Sequence, residues 1–224
     1  MKRTRRFVGA IFGGVLAAAL APGGQAVADS ETQIWTRAGV HYRFAERWRA
    51  DFEQRLRLTA DPLQVSAVIP ELALNYDVTK WLRLAGGYRY IKDRNRFDRF
   101  VTWHRFFADA EVETKWNRLR IENRVRYQEQ ITSDFNRQNR HRLRNRLLFG
   151  WDTDAFVEPY GGGEIHYNFG GADGSGWHKY RLEAGLRFKF GPHRMATAYR
   201  FENQIADTND PHLHVVLLQY HYNL

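Results

Sequence analysis

Arg140–Gly150 reads RHRLRNRLLFG. Arginine stands at every second position, Arg140, Arg142, Arg144 and Arg146, with Leu143, Leu147 and Phe149 on the alternate beat. Upstream, Asn117–Gln130 reads NRLRIENRVRYQEQ, where Arg118, Arg120, Arg124 and Arg126 alternate with Leu119, Ile121 and Val125. Basic runs of this density first suggest a nucleic-acid-binding arm. Such an arm carries its charge on an exposed helix or a disordered tail, and neither needs an apolar residue at alternate places. A period of two is the signature of a β-strand with two unlike faces.

The same beat runs through the rest of the chain. Strands are expected around 32–44, 48–58, 66–77, 81–91, 100–114, 118–130, 140–150, 155–169, 179–190, 195–205 and 213–224. On one face lie residues such as Val40, Tyr42, Phe52, Leu56, Leu72, Leu74, Leu84, Tyr88, Phe106, Ile165, Leu182, Tyr199 and Tyr220. On the other lie Arg49, Asp51, Arg55, Arg57, Glu71, Arg83, Arg89, Arg105, Asp109, Glu164, Arg181 and Gln219. No long helical pattern competes. Tight turns fall near 45–47, 77–80, 114–117, 152–154 and 191–193, one hairpin per repeat. Longer polar segments, 59–65, 92–99, 131–139, 170–178 and 206–212, alternate with them. Short turns at one rim and longer loops at the other, with strands long enough to cross a bilayer at a tilt, is the plan of an outer-membrane barrel. Trp48, Trp81, Trp116 and Trp151 all lie in or beside a tight turn, as an interfacial girdle requires. A soluble lipocalin-like barrel shares the alternation with its faces reversed, but gives such a girdle no purpose.

The expected fold is therefore all-β, an antiparallel up-and-down transmembrane β-barrel of 10–12 strands. The periodicity yields eleven. Single-chain bacterial barrels have even numbers, and an odd count would leave two parallel strands at the closure, so ten or twelve is expected, with the missing strand near the start.

Residues 1–28 read as a cleaved secretory signal peptide: MKRTRR, an apolar stretch too short for a membrane span, then Ala26-Val27-Ala28. Residues 29–224 form a single domain, expected in the bacterial outer membrane. Export also removes the compartment in which a nucleic-acid arm would work. The leader takes four of the 34 basic residues, leaving 30 against 25 acids and a net charge of +5. Only Lys80, Lys92, Lys115, Lys179 and Lys189 of these are lysine. Arginine's planar fork suits carboxylates or acidic ligands held in partly dehydrated sites. The absence of cysteine excludes disulfides and thiolate metal sites.

The chain ends HVVLLQYHYNL, with Val216, Leu218, Tyr220, Tyr222 and Leu224 on one face. This looks like the terminal strand read by the barrel-assembly machinery, with leucine where phenylalanine is usual. IWT, LAGGYRY, RLRIENRVRYQEQ, RHRLRNRLLF and the EPYGGGEIHYN region together resemble a bacterial family, the domain-of-unknown-function 2490 family, over nearly the whole mature chain. That resemblance implies an outer-membrane β-barrel and assigns no activity.

The chemistry rests on the inward face. Arg49, Arg55, Arg57, Arg83, Arg89, Arg120, Arg124, Arg126, Arg142, Arg144, Arg146, Arg181, Arg187 and Arg200 are expected to line a lumen and to form a path for small anionic solutes. Glu53, Glu111, Glu113, Glu122, Glu183 and Glu202 are expected beside them, and Arg–Glu ladders could instead neutralise one another and close the barrel. The strands at 118–130 and 140–150 carry more arginine than acid and would make one strongly positive wall. A barrel-embedded lipid hydrolase needs a nucleophile beside a histidine; Ser175, in ADGSGWH near His178, reads first as a flexible loop tip. His212 and His214 share a strand face without a third ligand, so no metal site is expected, and no cofactor. Gly161-Gly162-Gly163 lacks the Lys-Ser/Thr of a phosphate loop and reads as close packing within a strand. Expected partners are outer-membrane lipid, the assembly machinery and small anions, with no nucleic acid.

Overall fold

A computed structural model describes residues 30–60, 62–94, 98–132, 139–170, 174–205 and 212–224. The signal-peptide reading of residues 1–28 lies outside these residues. Eleven strands are present: β1 (Ser30–Ala45), β2 (Trp48–Ala60), β3 (Leu63–Asp77), β4 (Leu82–Arg94), β5 (Phe100–Trp116), β6 (Leu119–Thr132), β7 (Arg140–Trp151), β8 (Val157–Asn168), β9 (Gly176–Phe190), β10 (His193–Gln204) and β11 (His212–Asn223). They close into one barrel, each strand pairing with its sequence neighbours and β11 returning to β1. No helix occurs among the described residues.

The count of ten or twelve is corrected to eleven, and the sheet is not antiparallel throughout. β1 and β11 pair in parallel from Ser30↔His212 to His41↔Asn223. The hydrogen bonds of a parallel pair are slanted and evenly spaced, and twelve residue pairs satisfy both strand edges without a further strand. Among the described residues the barrel closes with an odd number of strands and no further element.

The strands also run further than their hydrophobic pattern. The predicted loop at 59–65 shrinks, because pairing continues to Ala60↔Leu63 and the Thr59 hydroxyl donates to the Pro62 carbonyl at 2.8 Å. The tight turns fall where expected. Asn117 and Gly191 take positive φ, 54° and 57°, in two of them, the conformation asparagine and glycine tolerate best.

Alternation sets the faces as anticipated. Phe52, Leu72, Leu74, Phe106, Leu147, Phe149, Leu182 and Tyr199 are exposed on the outside. Asp51, Glu71, Arg89, Asp109, Arg126, Arg144, Glu164, Arg181, Arg200 and Glu202 are buried inside. Phe188 is an exception to simple exposure: it shares the outward face yet is covered by the Phe156 ring, 6.5 Å away. The interior is not wholly polar. Leu148, Tyr160, Ala198, Val215 and Leu217 form one apolar cluster, with Trp35 against it, and Ala67, Ile69, Ile91 and Trp103 form another. Gly162 permits the first. A Cβ there would stand 2.1 Å from the Leu147 carbonyl oxygen and 2.9 Å from Leu148 Cδ2, so only glycine lets Leu148 lie across β8.

Candidate functional site

The register turns the arginine beat into facing rows. Across β6 and β7, Arg124 pairs Arg146 and Arg126 pairs Arg144. The second row is neutralised at both ends. Arg126 grips Asp109 of β5 through two hydrogen bonds of 2.6 Å, with its guanidinium 3.9 Å from the Phe107 ring centre. Arg144 donates to Glu164 of β8 at 2.7 Å, Arg181 of β9 reaches the other Glu164 oxygen at 3.3 Å, and Arg181 and Lys179 both hold Glu202 of β10 at 2.5 Å. Bidentate or doubly shared pairs of this kind answer the desolvation of buried charge. Further pairs extend the ladder: Arg200–Glu183 at 2.5 Å, Arg89–Glu71, Arg55–Glu71 at 3.0 Å and Arg49–Asp51 at 2.7 Å.

The first row is different. Among the described residues neither Arg124 nor Arg146 has a carboxylate within 4.0 Å, and Arg146 Nε is buried without a hydrogen-bond partner. Arg57 lies 4.1 Å over the Trp35 ring and Arg105 bonds the Gln130 amide oxygen, again with no carboxylate within 4.0 Å. These four guanidiniums all border the same space.

That space is a cavity of about 590 Å³ towards the long-loop rim. Arg55, Arg57, Arg89, Arg124, Arg126, Arg142, Arg144, Arg146, Arg181 and Arg200 of the expected path line it. A second cavity of about 340 Å³ lies towards the tight-turn rim, lined by Arg49, Arg120, Arg146, Arg187 and Arg200. Arg83 lines neither: it bonds Asp77 at 2.7 Å at the turn rim. Arg37, Arg146 and Arg200 border both cavities and mark where they meet. Arg37, Arg94, Arg105, Lys179 and Arg194 were absent from the expected path yet line the lumen. The parity of their strands carried the signal, since Arg37 alternates with Ala38 and Val40 as Arg105 does with Phe106.

The expected acids divide. Glu202 lines the larger cavity and Glu183 the smaller. Glu53 pairs with Arg55 at 2.6 Å. Glu122 reaches from β6 to Arg187 on β9, three strands round the wall, where Nη2 donates at 3.0 Å. Glu111 stands opposite Arg83, and Glu113 is half exposed at the rim, 3.7 Å from Arg120. At that rim Lys115 also donates to Asp152, holding its carboxyl below the ordinary range.

The other candidates are dispersed. Ser175 is exposed and its hydroxyl oxygen accepts from the Gly170 amide at 2.7 Å. His214 bonds the Tyr199 hydroxyl at 2.5 Å and His212 packs on Phe201, both on the outside. Sequence reasoning missed one grouping inside: His41, Glu53 and His221 bring possible ligand atoms within 4.8 Å of one another.

A closed barrel with an arginine-lined interior is the class these observations define. The chain belongs to the family described as protein of unknown function DUF2490, whose model matches residues 32–213. No curated protein matches it. Among solved structures it is similar to LpxR from Salmonella typhimurium, with a TM-score of 0.51 and 9% identity over 79% of this chain and 83% of that one. At that identity the likeness concerns the fold alone.

Proposed function

We propose that this is an outer-membrane barrel, exported by its leader, whose lumen takes up and passes small anionic solutes. The observation that carries the reading is the wall of the larger cavity. It holds thirteen arginines and one lysine against Glu31, Asp93, Glu164 and Glu202. Several of these cations are spent on the ladders, but Arg57, Arg105, Arg124 and Arg146 remain to meet an entering anion. Each charge-assisted hydrogen bond they make contributes about 1.5–3 kcal/mol net. Fixed positive charge in a confined lumen lowers the barrier for anions and raises it for cations. The membrane part of the proposal is supported by the apolar outer face and by the tryptophans at the tight-turn rim. Lipid is then the outer partner, and β11 the strand offered to the assembly machinery.

A second reading has its own observation. The Arg187–Glu122 bridge ties β9 to β6 beside the smaller cavity, which Arg187 lines, and with Arg187–Glu158 at 3.1 Å it favours a barrel closed at the tight-turn rim. Planar-bilayer recording separates the two. The purified protein is expected to give anion-selective conductance. Arg124→Ser with Arg146→Ser should lower that selectivity, at about 0.7 kcal/mol for each charge lost some ~6 Å from the ion in a water-filled lumen. These two are a cleaner test than Arg144, whose loss would also leave Glu164 with Arg181 as its one guanidinium partner. Absence of conductance from a correctly folded barrel would leave the closed reading standing.

A further inference from the structure

The parallel seam brings together side chains from the two ends of the chain. Gly39 of β1 faces His221 of β11 on one side and Glu53 of β2 on the other. Only a glycine fits between them. A Cβ at position 39 would stand 3.0 Å from Glu53 Cγ, 3.0 Å from His221 Cδ2 and 2.8 Å from the Phe52 carbonyl oxygen. His221 Nε2 and Glu53 Oε1 are consequently 3.2 Å apart, although 168 residues separate them in sequence. His41 lies two residues beyond Gly39, on the same inner face, with its ring centre 4.7 Å from that of His221. One ligand atom from each of the three residues falls within 4.8 Å of the others.

The surroundings are those of a metal site. His41 Nδ1 lies 2.6 Å from Asp51 Oδ1. Despite that approach His41 Nδ1 makes no hydrogen bond and stands as a buried polar atom short of a partner. Arg37 and Arg55 engage Glu53 through Oε2, at 3.5 Å and 2.6 Å, and leave Oε1 turned towards His221. Those guanidiniums oppose any cation, so the affinity must come from imidazole donors and not from excess negative charge. That condition disfavours magnesium and calcium, which seek oxygen ligands, and suits zinc. Both histidines border the smaller cavity, so water can reach a fourth position.

We propose that His41, His221 and Glu53 form a zinc site that clasps β11, β1 and β2 across the closure of the barrel. Donors 2.0–2.1 Å from a tetrahedral ion sit about 3.4 Å apart, so the rings draw in by about an ångström on binding.

The test uses the full-length barrel, refolded in detergent micelles, stripped with chelator and titrated with zinc chloride by calorimetry. One zinc per chain is expected, with a rise in the thermal midpoint. His41→Gln and His221→Gln should each weaken binding about tenfold or more and remove the midpoint rise, while His214→Gln on the outer face should leave both unchanged. Heat-modifiable migration reports whether each variant is folded. A cobalt(II) titration of the unaltered protein provides a reading that needs no variant, and an absorption spectrum of four-coordinate cobalt is expected. Absence of saturable zinc binding, survival of stoichiometric binding in the doubly substituted protein, or a cobalt spectrum indistinguishable from the hydrated ion would each overturn the site.

Discussion

Glu164 carries more of the lumen's order than any one arginine. It is 7% exposed and holds Arg144 and Arg181 at once, with His166 3.5 Å away. Removing its charge leaves Arg144 with no carboxylate partner among the described residues and Arg181 with Glu202 alone, which Lys179 also holds. Glu164→Gln is expected to cost about 3 kcal/mol, the low end for breaking a buried pair because the cavity admits water. It should also increase anion selectivity. Urea titration of the folded fraction in micelles measures the first, and a loss below about 1 kcal/mol would mean the ladder is not a stabilising unit. Which arginines point inward was legible in the sequence, because parity along a strand is decided by the residues themselves. Which of them are neutralised was not. Arg126 and Arg124 stand on the same face two residues apart, and the register sets a β5 carboxylate opposite each, Asp109 and Glu111; yet Arg126 grips its partner while Arg124 has no carboxylate within 4.0 Å among the described residues, a difference made by how the side chains lie and not by register.

At the scale of the strand, the informative failure is the seam. The eleven stretches were readable one by one, and the count was right until the even-number rule was applied to it. The parallel partnership of β1 with β11 leaves no local mark, because each strand's pattern is the same whichever way its neighbour runs. The meeting of His41 with His221 and Glu53 was hidden for a related reason: closure of a barrel brings the last strand to the first, but nothing in the sequence fixed the register that sets His221 opposite Gly39. The register is open to a direct check. Ala38 and Tyr220 are paired across the seam and face outward. Cysteines at both positions should form a disulfide on mild oxidation of the folded barrel, since adjacent strands hold Cα atoms within the usual bridging range. Cross-linking that instead prefers cysteine at Leu218 would show the seam two residues out of register.

For the molecule as a whole, the outer surface makes the strongest demand on its surroundings. Trp48, Trp81, Trp116 and Trp151 are 39%, 55%, 72% and 51% exposed at one rim. Side chains of that size are uncovered in water at considerable cost, and an interface between headgroups and chains accommodates both ring and indole N–H. In vesicles, lipids brominated near the headgroup should therefore quench the intrinsic fluorescence more than lipids brominated mid-chain. Equal quenching at both depths would argue against the girdle, although Trp35 and Trp103, inside the barrel, will contribute an unquenched background. The odd number of strands has one further consequence. In an even-stranded barrel the first and last strands open at the same rim, whereas here Ser30 lies at the long-loop rim and Leu224 at the opposite one. The ends of the sheet are separated by the height of the wall, about 40 Å along β1. A circular permutant joined by a short linker could not close, and, in the outer-membrane placement proposed above, epitope tags at the two ends of the sheet would be reached by reagents added to opposite compartments.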